Sequence, residues 1–173
     1  MTAGITSIAG IQIPSSDPVF LSIVAIHVPL GLACVVSGVL AMLSVKGPGR
    51  HRTAGTIYYW SLAVLFASAT VLSIMRWAED YHLFILGALA FAAVHTGRMA
   101  GRRSWPLRLH ITMMGWSYVL LLTAFYVDNG KQLPLWRELP VWTYWTVPAL
   151  VGAPLMLWAL LRHPRVRAID RAG

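Results

Sequence analysis

Five long apolar runs occupy most of this chain, and short connectors rich in glycine, proline or charge separate them. The runs lie at about 17–45, 51–75, 81–99, 106–127 and 142–161. Each is close to the roughly 20 residues that a helix needs to cross a hydrocarbon core. Membrane-spanning strands would instead alternate in polarity over about 10 residues, and none of these runs does. The pattern predicts an all-α integral membrane protein with five transmembrane helices, a four-helix core and an additional C-terminal helix.

The first connector separates two of these helices and carries the most concentrated polar pattern in the chain. The sequence Gly-Pro-Gly at 47–49 interrupts a continuous helix. His51 then opens the second helix, with Gly55 and Tyr58 following at i+4 and i+7. Residues at this spacing lie on one helical stripe. A histidine, a small residue and a tyrosine should therefore share one face of the second helix.

Composition and charge support this class of protein and orient it. Hydrophobic residues make up 57% of the chain, charged residues 12%, and the formal net charge is +8. Most basic residues fall on one side of a five-helix arrangement, so the positive-inside rule predicts an N-terminus outside and a C-terminus in the cytoplasm. The positive charge then signals topology and gives no indication of nucleic-acid binding. These basic residues are Lys46, Arg50, Arg52, Arg98, Arg102, Arg103, Arg108, Arg162, Arg165, Arg167 and Arg171.

Three segments are predicted along the chain. Residues 1–16 form an N-terminal arm without a cleaved signal peptide, 17–163 the transmembrane bundle, and 164–173 a basic cytoplasmic tail. The third apolar run is rich in glycine and alanine, which permit close helix packing in lipid, so it should be a central helix. The single cysteine, Cys34, excludes an intrachain disulfide.

Histidine is the main ionisable residue type in the interior of the predicted spans, because Asp17, Arg52, Arg98 and Arg108 lie at the span ends and no Asp or Glu lies further inside. The missing carboxylates argue against a proton-coupled pump and against acid–base hydrolysis. At about 1.5 Å per residue, three histidines from three helices share one level near the cytoplasmic boundary. They are His51, His95 and His110.

Neutral imidazoles without neighbouring thiolates or carboxylates suit b-type haem, zinc or copper. The predicted metal ligands are His51, His95 and His110, and a haem would use two of them. His27 with His82 would form a second, outer haem site, but thirteen positions separate His82 from His95, so the two face nearly opposite ways around one helix. The structural alternative is that these histidines are hydrogen-bonded packing residues without a cofactor.

The polar positions also resemble a known family. The chain from about 26 to 125 looks like the bacterial predicted membrane protein family called domain of unknown function 2306. The family implies a small multi-pass protein of the bacterial inner membrane and supplies no activity. Its usual basic residue before the Ser-Tyr pair is replaced by Trp116, which disfavours an anionic ligand there. The matching positions are His27, Lys46-Gly47, His51-Arg52, Gly55, Tyr58, His110, Met113-Met114 and Ser117-Tyr118.

Three functions follow as hypotheses, with no catalytic residue assigned. The first is a histidine-based cofactor or metal protein, with b-type haem in electron transfer to a quinone as its sharpest form. The second is an accessory or assembly subunit that packs against a larger membrane complex and holds no cofactor. The third is a metal or small-solute permease. The lipid bilayer is a partner in all three, and the candidate cofactor-binding residues are His27, His51, Tyr58, His95, His110 and Tyr118.

Overall fold

The protein is described by a computed structural model that covers residues 6–8, 11–13, 17–103 and 105–162. Five helices, each long and apolar enough to cross a membrane, dominate these residues, which confirms the predicted helix number and class. The helices are α1 (Pro18–Leu43), α2 (Arg50–Met75), α3 (Trp77–Arg102), α4 (Leu107–Asn129) and α5 (Trp142–Arg162).

The predicted N-terminal arm contains two short antiparallel strands. Strand β1 (Thr6–Ile8) pairs with β2 (Ile11–Ile13), with Ser7 opposite Gln12. Two single-turn 3₁₀ helices, Gly130–Gln132 and Trp136–Glu138, lie between α4 and α5. His163 and the predicted tail 164–173 lie outside the described residues.

Local sequence explains where α1 begins and ends. The Asp17 side chain accepts hydrogen bonds from the backbone N–H groups of Val19 (2.7 Å) and Phe20 (3.3 Å), and Pro18 occupies the first turn. This is the N-cap arrangement that satisfies the otherwise unpaired donors of a first turn. After α1, Gly47 and Gly49 adopt positive φ angles of 146° and 100°. Residues with a Cβ atom rarely adopt such angles. The chain therefore reverses direction at the predicted connector.

The turn between α2 and α3 is shorter than the sequence predicts. Helix α3 begins at Trp77 and not near residue 81, so Arg76 alone separates the two helices. Glu79 and Asp80 lie in the first turn of α3, where the helix dipole favours negative charge. Arg76 also lies 3.7 Å from the Asp80 carboxylate. A charged segment predicted to be a loop is therefore the start of a helix.

The helices pack in chain order, and the buried core comes from the first four of them. Its members are Cys34, Tyr58, Leu62, Leu65, Ala90, Val94 and Leu121, contributed by α1 to α4. Helix α5 packs on α4, where an added Cβ at Gly152 would collide with the Val119 side chain. The small residues of α3 allow similarly close packing, since a Cβ at Gly97 would lie 3.0 Å from Met114 of α4. The bundle is thus a four-helix core with α5 against one side.

Candidate functional site

Two of the candidate histidines meet between neighbouring helical hairpins. His51 begins α2 and its Nδ1 lies 2.8 Å from the carbonyl oxygen of Ala41 in α1. His110 lies in the first turn of α4, and its Nδ1 lies 2.7 Å from the carbonyl oxygen of Gly97 in α3. The two ring centroids are 6.5 Å apart with an interplanar angle of 78°. Each hairpin therefore contributes one histidine, held in the same way, to a common place.

The carbonyl partners define the protonation of both rings. A carbonyl oxygen only accepts hydrogen bonds, so Nδ1–H is the donor in His51 and in His110. In the neutral ring, Nε2 then carries the lone pair. A backbone carbonyl bonded to the other ring nitrogen is the usual way in which proteins orient a metal-binding histidine. Both rings thus present the nitrogen that a metal ion requires.

The backbone around each histidine shows why these bonds form. Ala41 lies in the last turn of α1, where carbonyl groups lack helical partners. The Lys46 ammonium also donates to the carbonyls of Ala41 (3.1 Å) and Met42 (2.7 Å), and burial lowers the pKa of Lys46. On α3, a Cβ at Gly101 would lie 2.9 Å from Nδ1 of His110. The end of α1 and a glycine of α3 therefore make the two positions available.

A second polar contact lies two helical turns further along the same helices. Tyr58 follows His51 by seven residues, and Ser117 follows His110 by seven. The Tyr58 hydroxyl lies 3.0 Å from Ser117 Oγ, and both side chains are buried. Because Ser117 donates its only proton to the Met114 carbonyl at 2.8 Å, Tyr58 is the donor to Ser117. The sequence interpretation did not include Ser117 in the candidate site, although its spacing from His110 repeats that of Tyr58 from His51.

Tyr118 links α4 to α1. Its hydroxyl donates to the Val35 carbonyl at 3.2 Å, and its ring centroid lies 6.2 Å from that of Tyr58. A Cβ at Gly38 would lie 2.5 Å from the Tyr118 ring, so only glycine leaves room for it. The two predicted tyrosines are therefore neighbours in the core.

Gly55 lies between His51 and Tyr58 on α2 but does not pack against another helix. An added Cβ at Gly55 would meet no atom of a neighbouring element within 4 Å. Gly55 is thus beside open space, whereas the same residue type at Gly38 is in tight contact.

His95 does not join His51 and His110. Its Nδ1 lies 3.1 Å from the Tyr59 hydroxyl, and its side chain is exposed. In the described part of the chain, no group of three or more His, Cys, Asp or Glu side chains is placed to hold a metal ion. Val94 is fully buried, and one further residue turns about 100° around the helix, which carries His95 off the buried face. Equal depth therefore did not bring the three histidines together.

The outer histidines also have separate partners. His27 Nδ1 lies 2.8 Å from Ser68 Oγ, and Ser68 donates its own proton to the Leu65 carbonyl, so His27 is the donor. The His82 ring lies 5.9 Å from that of Trp145 in α5. His27 is therefore held against α2 and His82 against α5.

No protein-family model, curated protein or solved structure matches this chain. The resemblance to domain of unknown function 2306 stays a prediction. The fold defines the class as a protein with five helices that can span a membrane, and the histidine pair is its best candidate site.

Proposed function

We propose that this chain is a multi-pass protein of the bacterial inner membrane that holds b-type haem between His51 and His110 and exchanges electrons with a quinone. The supporting observation is the matched pair of Nδ1–H donations to backbone carbonyls, with ring centroids 6.5 Å apart. The positive-inside rule places this pair near the cytoplasmic surface, with the N-terminus outside.

The separation of the rings suits two ligands of one metal ion. Metal–nitrogen distances to histidine are about 2.0–2.1 Å, which puts a ligating ring centroid roughly 3 Å from the ion. Two imidazoles on opposite sides would then have centroids about 6 Å apart. The observed 6.5 Å is close to that value.

The number of ligands favours haem over zinc or copper. A structural zinc site uses four protein ligands and a catalytic one uses three. Only two histidines meet here, and no group of three metal-binding side chains exists among the described residues. A haem would need no more than two ligands from the protein, which His51 and His110 could supply. It also supplies one-electron chemistry when bound.

The protein's own residues would orient the cofactor. The Ala41 and Gly97 carbonyls hold the two rings and increase the basicity of Nε2. Gly55 lies on the same stripe of α2 as His51, and an added Cβ there would meet no neighbouring element within 4 Å, so this face of α2 would not obstruct the edge of a flat ring. The hydrogen-bonded pair Tyr58 and Ser117 lies two helical turns beyond the two histidines on the same helices.

The test is an absorption spectrum with metal analysis on one detergent-purified sample. The wild type should show a Soret band that shifts on reduction. We expect His51→Ala and His110→Ala each to abolish or strongly weaken it, because both histidines would hold the haem, and His95→Ala to retain it. His95 is an appropriate control since it is an exposed histidine of the same bundle. A colourless, metal-free wild type, or a band that survives both substitutions, would refute the proposal.

A second candidate is a cofactor-free subunit of a larger membrane complex. It is favoured by the fact that His27, His51, His95 and His110 each have a hydrogen-bond partner within the chain, as packing histidines do. Colourless protein that co-purifies with other membrane proteins would support this candidate over the first.

A further inference from the structure

Aromatic rings fill the seam between α2 and α3 along most of its length. On α3, Trp77, Phe84 and Phe91 recur every seven residues. On α2, Tyr59 and Phe66 have the same spacing and run in the opposite direction. Phe66 lies 5.9 Å from Phe84 and 5.6 Å from Phe91, Trp77 lies 5.8 Å from Phe84, and Tyr59 lies 6.1 Å from Phe91. We call these five residues the aromatic seam.

Three arginines cluster where the aromatic seam ends, at the start of α2 and the end of α3. Arg52 and Arg98 continue the seven-residue spacing of their helices, and Arg102 lies one turn beyond Arg98. Arg52 lies seven residues before Tyr59 on α2, and the Tyr59 ring contacts the Arg98 guanidinium of α3. In the described part of the chain, none of the three forms an ion pair with an acidic side chain. We call them the arginine end of the seam.

Neighbouring side chains hold Arg98 in place. Its guanidinium carbon lies 4.5 Å from the centre of the Tyr59 ring, and Nη1 lies 3.5 Å from Thr56 Oγ1. The Tyr59 hydroxyl is bonded to the exposed His95 at 3.1 Å. The Tyr59 ring and the Thr56 hydroxyl are both uncharged, so neither neutralises the Arg98 guanidinium. The three arginines therefore have no counter-charge from the described chain.

We infer that the arginine end binds the phosphate of an anionic phospholipid whose acyl chains lie along the aromatic seam. Basic sites between transmembrane helices on the cytoplasmic side bind anionic head groups, and guanidinium groups match phosphate geometry. From Phe91 to Trp77 the seam covers fourteen residues, about 21 Å of helix. This length suits an acyl chain that extends inward from a head group. The inference rests on the membrane placement in the proposed function and is independent of the histidine cofactor.

The test is competition between two lipids for the intact, delipidated protein, read by native mass spectrometry. Phosphatidylglycerol and phosphatidylcholine with identical acyl chains are added in equal amounts. We expect phosphatidylglycerol to be retained preferentially. Arg98→Gln should lower its retention about fivefold, since a basic residue near anionic lipid contributes roughly 1 kcal/mol. Arg102→Gln, a change at an exposed arginine of the same cluster, should also lower it.

Arg162→Gln is the matched control, because Arg162 also lies over an aromatic ring, that of Trp158 at 5.2 Å, at the end of α5. It should leave retention unchanged. Equal retention of both lipids, equal loss in Arg162→Gln, or displacement of phosphatidylglycerol by inorganic phosphate would overturn the inference. A dimer whose interface covers the seam and excludes phosphatidylglycerol would also overturn it. Colourless protein that still selects phosphatidylglycerol would refute the haem proposal alone.

Discussion

Two glycines of the bundle should respond in opposite ways to the same substitution. Gly38 in α1 and Gly55 in α2 are both inside helices. A Cβ at Gly38 would lie 2.5 and 2.7 Å from two carbons of the Tyr118 ring and 3.4 Å from Tyr58. A Cβ at Gly55 would contact no neighbouring element within 4 Å. We predict that Gly38→Ala destabilises the protein and that Gly55→Ala does not.

The magnitude follows from what the Tyr118 ring must lose. Its hydroxyl is bonded to Val35 and its ring faces Tyr58, so the ring cannot move aside without breaking a contact. Overpacking a well-packed core costs about 1–3 kcal/mol, and loss of the hydrogen bond adds about 0.5–1.5 kcal/mol. The higher helix propensity of alanine compared with glycine offsets about 1 kcal/mol of this loss. Gly38→Ala should therefore lower the free energy of unfolding by about 0.5–3.5 kcal/mol, and Gly55→Ala should raise it by up to about 1 kcal/mol.

The assay is reversible unfolding in mixed detergent micelles, followed by helical circular dichroism for wild type and both variants. A third protein, Gly38→Ala combined with Tyr118→Ala, removes the clashing ring and should show less than the additive loss of the two single changes. The assignment of tight and open positions is wrong if Gly38→Ala is as stable as wild type. It is also wrong if Gly55→Ala loses as much stability as Gly38→Ala.

Three further results are expected. Tyr58→Phe should cost about 1–2 kcal/mol of unfolding free energy, because it removes the buried donor to Ser117; a double-mutant cycle with Ser117→Ala should show coupling, and additive losses would contradict the bond. Gly101→Ala should displace the His110 ring, since the new Cβ would lie 2.9 Å from Nδ1; we expect a weakened Soret band, and an unchanged spectrum would exclude the ring position described. Cys34 is fully buried and should react with a maleimide only after unfolding, as rapid labelling of native protein would place it outside the core.

The sequence alone predicted the number of helices, the helical class and the connector after α1. These features depend on local properties: the length of each apolar run, the N-cap formed by Asp17 and the two glycines that reverse the chain. The predicted start of α3, near residue 81, was wrong. Charged residues are typical of loops, but acidic residues are also favourable in the first turn of a helix.

The candidate site could be predicted only in part. Depth along a helix follows from the constant rise per residue, which is how the sequence predicted one level for His51 and His110, and their ring centroids lie 6.5 Å apart. Direction around the helix matters equally, and it separates His95 from the other two.

What a helix face meets depends on its neighbours, and this only the tertiary structure decided. The sequence does not distinguish Gly38 from Gly55, since both are glycines inside apolar helices. In the structure, Gly38 contacts the Tyr118 ring and Gly55 borders open space. The bond between Tyr58 and Ser117 likewise joins residues on different helices that are 59 positions apart. The physical reason is that apolar length and chain breakers act within one segment, whereas side-chain partners are chosen by the packing of whole helices.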